Sequence, residues 1–254
     1  MSVPKPPMDT SHPSPNKGGY NAPHKPEALC WHVTVGGAAG SLAWLTNPAS
    51  NASANYLIDR AGKIYELVPP GESAWANGQL NKPDVANPVI KGWVDNHINP
   101  NTRTISIENE RTTSANEQPG GFTEAQHKSL VALSAWLCAT LGIAPDRTHI
   151  IRHGQIDSVT RAHCPGLAES EMQAWVGEIA ALVNGAPPPN GGEGTRQYLN
   201  DKGELVIEIN MGGTATKILG VNYADIGGSV ENAAGEQFDR SLTAGVFGPW
   251  VKRP

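Results

Sequence analysis

Two histidines and a cysteine fall close together in residues 152–166, RHGQIDSVTRAHCPG, which supply His153, His163 and Cys164. Imidazole nitrogen and thiolate sulfur are the donors zinc prefers, and three protein donors with one position left open is the arrangement of a catalytic zinc site. A structural zinc finger needs four donors in close pairs, and no such spacing occurs in the chain. The Pro-Gly that follows Cys164 fixes it in a turn, so this thiol is expected at an exposed loop edge. Cys138 falls inside a helical pattern and reads as core. A further histidine, His32, lies within the apolar run ALCWHVTV, and taken alone it reads as a satisfied core residue. Glu108 closes the alternating segment RTISIE. On its own it reads as solvated, but a carboxylate beside a metal can accept a proton from water and return it to a leaving nitrogen.

The elements that must position these groups are legible in outline. Residues 28–35 read as a buried strand running into Gly36-Gly37, and residues 55–58 and 63–68 as the arms of a hairpin about the turn Asp59-Arg60-Ala61-Gly62. Residues 103–108 alternate Ile105 and Ile107 with polar neighbours, a strand that delivers Glu108 to its end. Between these, residues 69–102 read as a long loop, and its Trp75, Trp93 and His97 read as local packing. Thr123-Glu-Ala-Gln126 is a capping box, followed by apolar residues at helical spacing up to the stop at Gly142, with His127 on the helix surface. Residues 148–152 form another strand candidate, and residues 169–183 a second amphipathic helix. Strands and helices therefore alternate through residues 28–184, an α/β pattern.

Composition bounds the rest. The chain has 254 residues, enough for one large domain or one ordinary domain with a small companion. Charged residues make up 17%, the net charge is −5 and the pI is near 5.9, so nucleic acid is not the expected partner, since phosphate backbones need clustered Lys and Arg. Three cysteines imply no disulfide framework. Gly (28) and Pro (21) are abundant, which excludes a long helical bundle. Residues 1–26 are Pro-rich and read as an extended arm, either loose or docked. Residues 185–194, GAPPPNGGEG, read as a linker, and residues 195–254 as a small β-rich module with a hairpin through residues 198–209 and a further strand at 218–221. The opening MSVPKPPMDTSHPSPN holds no apolar stretch of the kind an export signal needs, so a cytoplasmic product that inserts in no membrane is expected.

Taken in order, the first-strand CWHVT, the hairpin SANYLIDRAGKIYELVP followed by AWANG, the strand ISIEN, the helix opening FTEAQ and the segment HGQIDSVTRAHCPG resemble the type 2 N-acetylmuramoyl-L-alanine amidases. That zinc-dependent family includes phage lysis amidases and peptidoglycan-recognition proteins, and the resemblance runs over residues 14–183. It implies a central mixed β-sheet flanked by helices, with one zinc per chain held by His32, His153 and Cys164 in a groove over the sheet. His163 is the rival to His153, but neighbouring residues of an extended loop point apart, so it is not expected to share an ion with Cys164. Glu108 corresponds to the family's strand-end acid. Many members carry a Lys two residues before the Cys or Asp ligand; Ala162 stands there, and Arg161 or His163 is the available substitute, with Arg161 the candidate transition-state stabiliser. Ala54 stands where some members carry a catalytic Tyr, which favours Glu108 as base. Trp75 and Asn77 of AWANG are the substrate-binding candidates, Asn77 occupying a place where His is common.

The activity implied is hydrolysis of the amide joining muramic acid to L-alanine in peptidoglycan. A catalytic domain in front, a Pro/Gly linker and a small β module behind resemble a phage endolysin, made in the host cytoplasm and reaching the bacterial cell wall when a holin opens the membrane. The C-terminal module is then expected to bind the wall or mediate self-association. A wall-recycling amidase is a second enzymatic reading, and a non-catalytic peptidoglycan-binding protein is the rival from another class, though such proteins typically lose the Cys ligand that Cys164 retains.

Overall fold

The computed structural model describes residues 3–111 and 121–184 in full, together with the backbone of seven strands between residues 195 and 252. The chain divides into two units, Met1–Pro188 and Pro189–Pro254. In the first, the elements run β1 (Ala28–Val33), α1 (Ala38–Leu45), β2 (Tyr56–Ile58), β3 (Ile64–Glu66), α2 (Pro88–Asp95), β4 (Thr104–Asn109), α3 (Glu124–Leu141), β5 (Ile150–Arg152), α4 (His153–Ile156) and α5 (Glu169–Val183). The sheet order is β3-β2-β4-β1-β5, with β3 antiparallel to β2 and the other neighbours parallel. This is the expected mixed sheet flanked by helices.

β1 is buried along its whole length because it is central and covered on both faces, as parallel strands are. One face carries Leu29 and Trp31 of β1, Ile105 and Ile107 of β4, and Tyr56 and Ile58 of β2, packed under α3 and α5 through Leu130, Leu133, Leu137, Met172, Val176 and Ile179. The opposite face is covered in pieces. Ala28, Cys30 and Ile151 pack against Ile90 and Trp93 of α2, and Leu57 packs against Leu45 of α1. Over the C-terminal ends of β1 and β4, between these pieces, the sheet opens into a cavity.

Two helices were absent from the sequence expectation. α2 lies in the stretch read as loop, where Asn87 caps it by accepting from the Val89 and Ile90 amides with Pro88 in the first turn. α1 has no side-chain cap and follows two glycines. Residues 153–156, directly after the expected strand, form one helical turn.

The N-terminal arm is docked. The Asp9 amide donates to the Ile64 carbonyl and the Glu66 amide to the Asp9 carbonyl, so the arm pairs with β3, the outer strand of the sheet, and covers an edge that would otherwise be open. Ser14 continues the contact through its amide to the Leu67 carbonyl. Among the described residues no helix is long and apolar enough to cross a membrane.

In the second unit the strands are β6 (Thr195–Leu199), β7 (Leu205–Asn210), β8 (Ala215–Ile218), β9 (Gly227–Glu231), β10 (Gln237–Thr243), β11 (Val246–Phe247) and β12 (Val251–Lys252). They form an antiparallel sheet in the order β11-β10-β9-β8-β7-β6, with β12 also on β10. The expected hairpin is present as β6 and β7, in the register Leu199 to Leu205. Of the further strand expected at 218–221, Ile218 falls in β8, and 219–221 lie outside the described residues, as does the linker 185–194.

The capping box on α3 forms as expected, with Thr123 accepting from the Gln126 amide and Gln126 Oε1 accepting from the Thr123 amide. Thr123 also donates to the Arg60 carbonyl at 2.7 Å, tying the helix to the hairpin turn. Thr123→Ala is therefore expected to lower stability by about 1–2 kcal/mol in chemical denaturation.

Candidate metal centre

The register of three parallel strands assembles the site. His32 of β1 lies opposite Glu108 of β4, and Glu108 lies opposite Leu57 of β2. β5 pairs with β1 as far as Arg152 opposite Trp31, so the next residue, His153, continues the same row. His153 opens α4, and the chain returns through Cys164, whose carbonyl accepts from the Gly154 amide at 3.1 Å. There is no room for a side chain at Gly154, where an added Cβ would meet the Ala162 carbonyl oxygen at 2.6 Å. That close approach brings the cysteine back to the histidines.

His32, His153 and Cys164 offer donor atoms that all lie within 4.8 Å of one another, and all three residues are buried. The two imidazole rings are 4.4 Å apart at 55°. His32 Nε2 and Glu108 Oε2 are buried without a hydrogen-bond partner, and Glu108 Oε1 is 3.8 Å from His32 Nδ1. Two imidazoles and one thiol are a donor set that suits zinc, and the unpartnered His32 nitrogen is the kind of atom a bound cation would satisfy. His163, by contrast, is exposed and outside this cluster.

Burial dominates the electrostatics. It pushes His32 well below the usual imidazole range, with the neighbouring His153 adding to the effect, and it pushes His153 down to about 4 with help from Arg161. Both rings are therefore neutral, the form that ligates. Burial raises the Cys164 thiol to about 12, reinforced by Glu108, so a cation must displace its proton on binding. Burial likewise raises the Glu108 carboxyl to about 7, against a lowering by Arg161.

The cluster lies in the lining of a cavity of about 550 Å³. Arg161 and Trp75 line it too, the latter with its indole N–H held by the Gly18 carbonyl at 2.9 Å. Two expectations are corrected. Cys164 is not at an exposed edge: it is 2% exposed, because the turn folds it against Val33 and Phe122. Asn77 does not line the cavity. It is 1% exposed, donates through Nδ2 to the hydroxyls of Thr104 and Ser106, and leaves Oδ1 buried without a partner. Its side chain lies near the His32 ring and its backbone near that of His153. Trp93 is buried and donates to Glu27, away from the site. Sequence reasoning missed the cavity wall formed by Val35, Gly40, Ser41 and Trp44; an uncharged run from Val33 to Ile58 was the signal available.

The family model described as N-acetylmuramoyl-L-alanine amidase matches residues 22–167. N-acetylmuramoyl-L-alanine amidase A of Achromobacter lyticus is 25% identical over 172 residues, covering 61% of this chain and 84% of that protein. Among solved structures, a selenomethionine derivative of AmpD is similar with a TM-score of 0.51 at 20% identity, over 69% of this chain and 99% of that one. The PlyG catalytic domain is similar with a TM-score of 0.51 at 18% identity, over 70% and 96%. These two structural likenesses speak to the fold.

An acid raised from 4.5 to about 7 holds more protons folded than unfolded across that window, so Glu108 costs the metal-free protein stability as pH rises through it. Glu108→Gln, unfolded thermally in the presence of a chelator, should match the parent near pH 4 and melt above it at pH 8. A midpoint below the parent at pH 8 would show that the carboxylate is stabilised where it sits.

Proposed function

Because the chain belongs to the N-acetylmuramoyl-L-alanine amidase family, we propose that it hydrolyses the amide between the lactyl group of muramic acid and L-alanine of the peptidoglycan stem peptide, in a zinc-dependent reaction centred on His32, His153 and Cys164. The observation that carries this reading is the buried cluster of those three donors beside Glu108 in the lining of one cavity. Zinc held there would supply Lewis acidity, polarising the scissile carbonyl and lowering the pKa of water.

The chain's own residues do the rest. Glu108 accepts the proton of the attacking water and returns it to the departing L-alanine nitrogen. Arg161 supplies positive charge at the same cavity and stabilises the anion that develops on the carbonyl oxygen. The neutral imidazoles and the buried thiol keep the donors free of competing ion pairs. Trp75, on the cavity lining, borders the substrate.

We extend the proposal to a phage endolysin in which the second unit serves the wall, as a binding module or by self-association. Its support is the arrangement of a catalytic unit, a Pro/Gly linker and a separate β-sheet unit.

Metal analysis of the purified protein paired with mass spectrometry of digested peptidoglycan tests the central claim: one zinc per chain and stem peptides with a free L-alanine amine are expected. His32→Ala and Cys164→Ala should each lose both zinc and hydrolysis. Glu108→Gln should retain zinc and lose turnover by on the order of 10²–10⁴; near-parental turnover would assign the base elsewhere. A chain ending at Asn184 should still cleave soluble muropeptide but sediment less with whole cell walls than the full chain does.

A further inference from the structure

The two walls of the cavity differ in chemistry. α1 packs on the β2 side of the sheet, its Leu42 and Leu45 meeting Ala54 and Leu57. α4 and the loop behind it leave β5, on the far side of β1. β4 and β1, which carry Glu108 and His32, run between the two walls. On the β5 side the lining includes Thr160 and Arg161. Arg161 Nη1 contacts the Thr160 carbonyl and hydroxyl, and no carboxylate lies within ion-pair distance of it among the described residues. On the α1 side the lining is Val35, Gly40, Ser41, Trp44, Leu45 and Ala52, from a run without a single Asp, Glu, Lys, Arg or His. Trp44 is 58% exposed and Val35 76%, whereas Leu45 carries the packing of α1. Folding thus accounts for Leu45 and leaves the Trp44 indole on the cavity wall.

The substrate of the proposed reaction is divided in the same way. On one side of the scissile amide is an N-acetylated pyranose whose only carboxyl is consumed in that amide, so it is neutral. On the other is a peptide bearing free carboxylates. Charge complementarity places the peptide toward Arg161 and the neutral part toward the uncharged wall. An indole face suits that neutral part, because the C–H face of a pyranose lies flat on it and removes apolar surface from water while the hydroxyls stay solvated.

We propose that α1 forms the glycan side of the cavity, with Trp44 as the platform for an N-acetylated sugar ring, so that the substrate crosses the centre with its saccharide toward β2 and its peptide toward β5. This rests on the amidase reading above.

The test compares two soluble substrates with the same stem peptide, one carrying the disaccharide and one carrying only a lactoyl group. In the full-length zinc-loaded protein, Trp44→Ala should lower the ratio of kcat/KM for the sugar-bearing over the sugar-free substrate by roughly tenfold. Trp44→Phe should restore most of it. An unchanged ratio, with both substrates affected alike or neither, overturns the proposal. A second measurement is independent of cleavage: the indole N–H resonance of Trp44, assigned as the one missing from Trp44→Phe, should shift on titration with neutral di-N-acetylchitobiose. If neither substrate is cleaved but that resonance moves, the sugar platform stands and the amidase reading fails; if it does not move, the platform fails.

Discussion

The parallel pairing of β1 with β4 places an imidazole and a carboxylate side by side, and the rest of the site depends on that register. Side chains alternate along a strand, so a slip of one residue would turn His32 toward α3 and bring Trp31 to the cavity. What prevents the slip is the other face. Leu29, Trp31, Ile105 and Ile107 are buried under α3 and α5, and a shifted strand would expose them while burying polar groups in their place. At roughly 1.5–3 kcal/mol for each large apolar side chain, the register is held by several times the energy of any polar contact at the site. The core that does no chemistry is thus what fixes the chemistry in place.

The same burial makes the site costly. Buried polar atoms normally find partners, and the cases here that do not include His32 Nε2, Glu108 Oε2 and Asn77 Oδ1, all on the open face of β1 and β4 or directly beneath it. Asn55, by comparison, is fully engaged: it holds carbonyls of the 68–72 turn and accepts from the Ser106 amide. At His32 the rule is broken where a ligand would mend it, which is the pattern expected of a functional site. A cation among His32, His153 and Cys164 would give the unpartnered His32 nitrogen a partner and oppose the burial that raises the Cys164 thiol.

How much of this could be read from the chain depended on the range of the interactions involved. The β2–β3 hairpin, the α3 capping box and α5 were legible because their signals lie within a few consecutive residues. α1 was not, since it has two glycines before it and no capping side chain; α2 was not, since its Asn-Pro start looks like a turn unless Asn87 is seen to cap. The 152–166 segment stood out by residue type as a candidate source of zinc donors, but His32 joined it only through the resemblance to a family, because taken alone it is indistinguishable from a core histidine. The burial of Cys164 depends on Val33 and Phe122, and that of Asn77 on Thr104 and Ser106; these partners are far away in sequence, so no local pattern announces them. The N-terminal arm was open between loose and docked, and the open edge of β3 decided it.

The floor and walls of the cavity are built to different standards. Disturbing the floor means breaking β1 away from two parallel neighbours and opening the large core beneath it. Disturbing the α1 wall exposes a single small cluster, Leu45 with Ala54, Leu57 and Leu67, and a helix without a side-chain cap. Local opening free energies follow buried contacts, so His32 and Glu108 sit on strands backed by the large core and the uncharged wall on a smaller cluster. That division lets the residues of the α1 wall change without loosening the strands that carry His32 and Glu108. The exposed indole of Trp44 belongs to the part of the structure that can be altered at least cost to the rest.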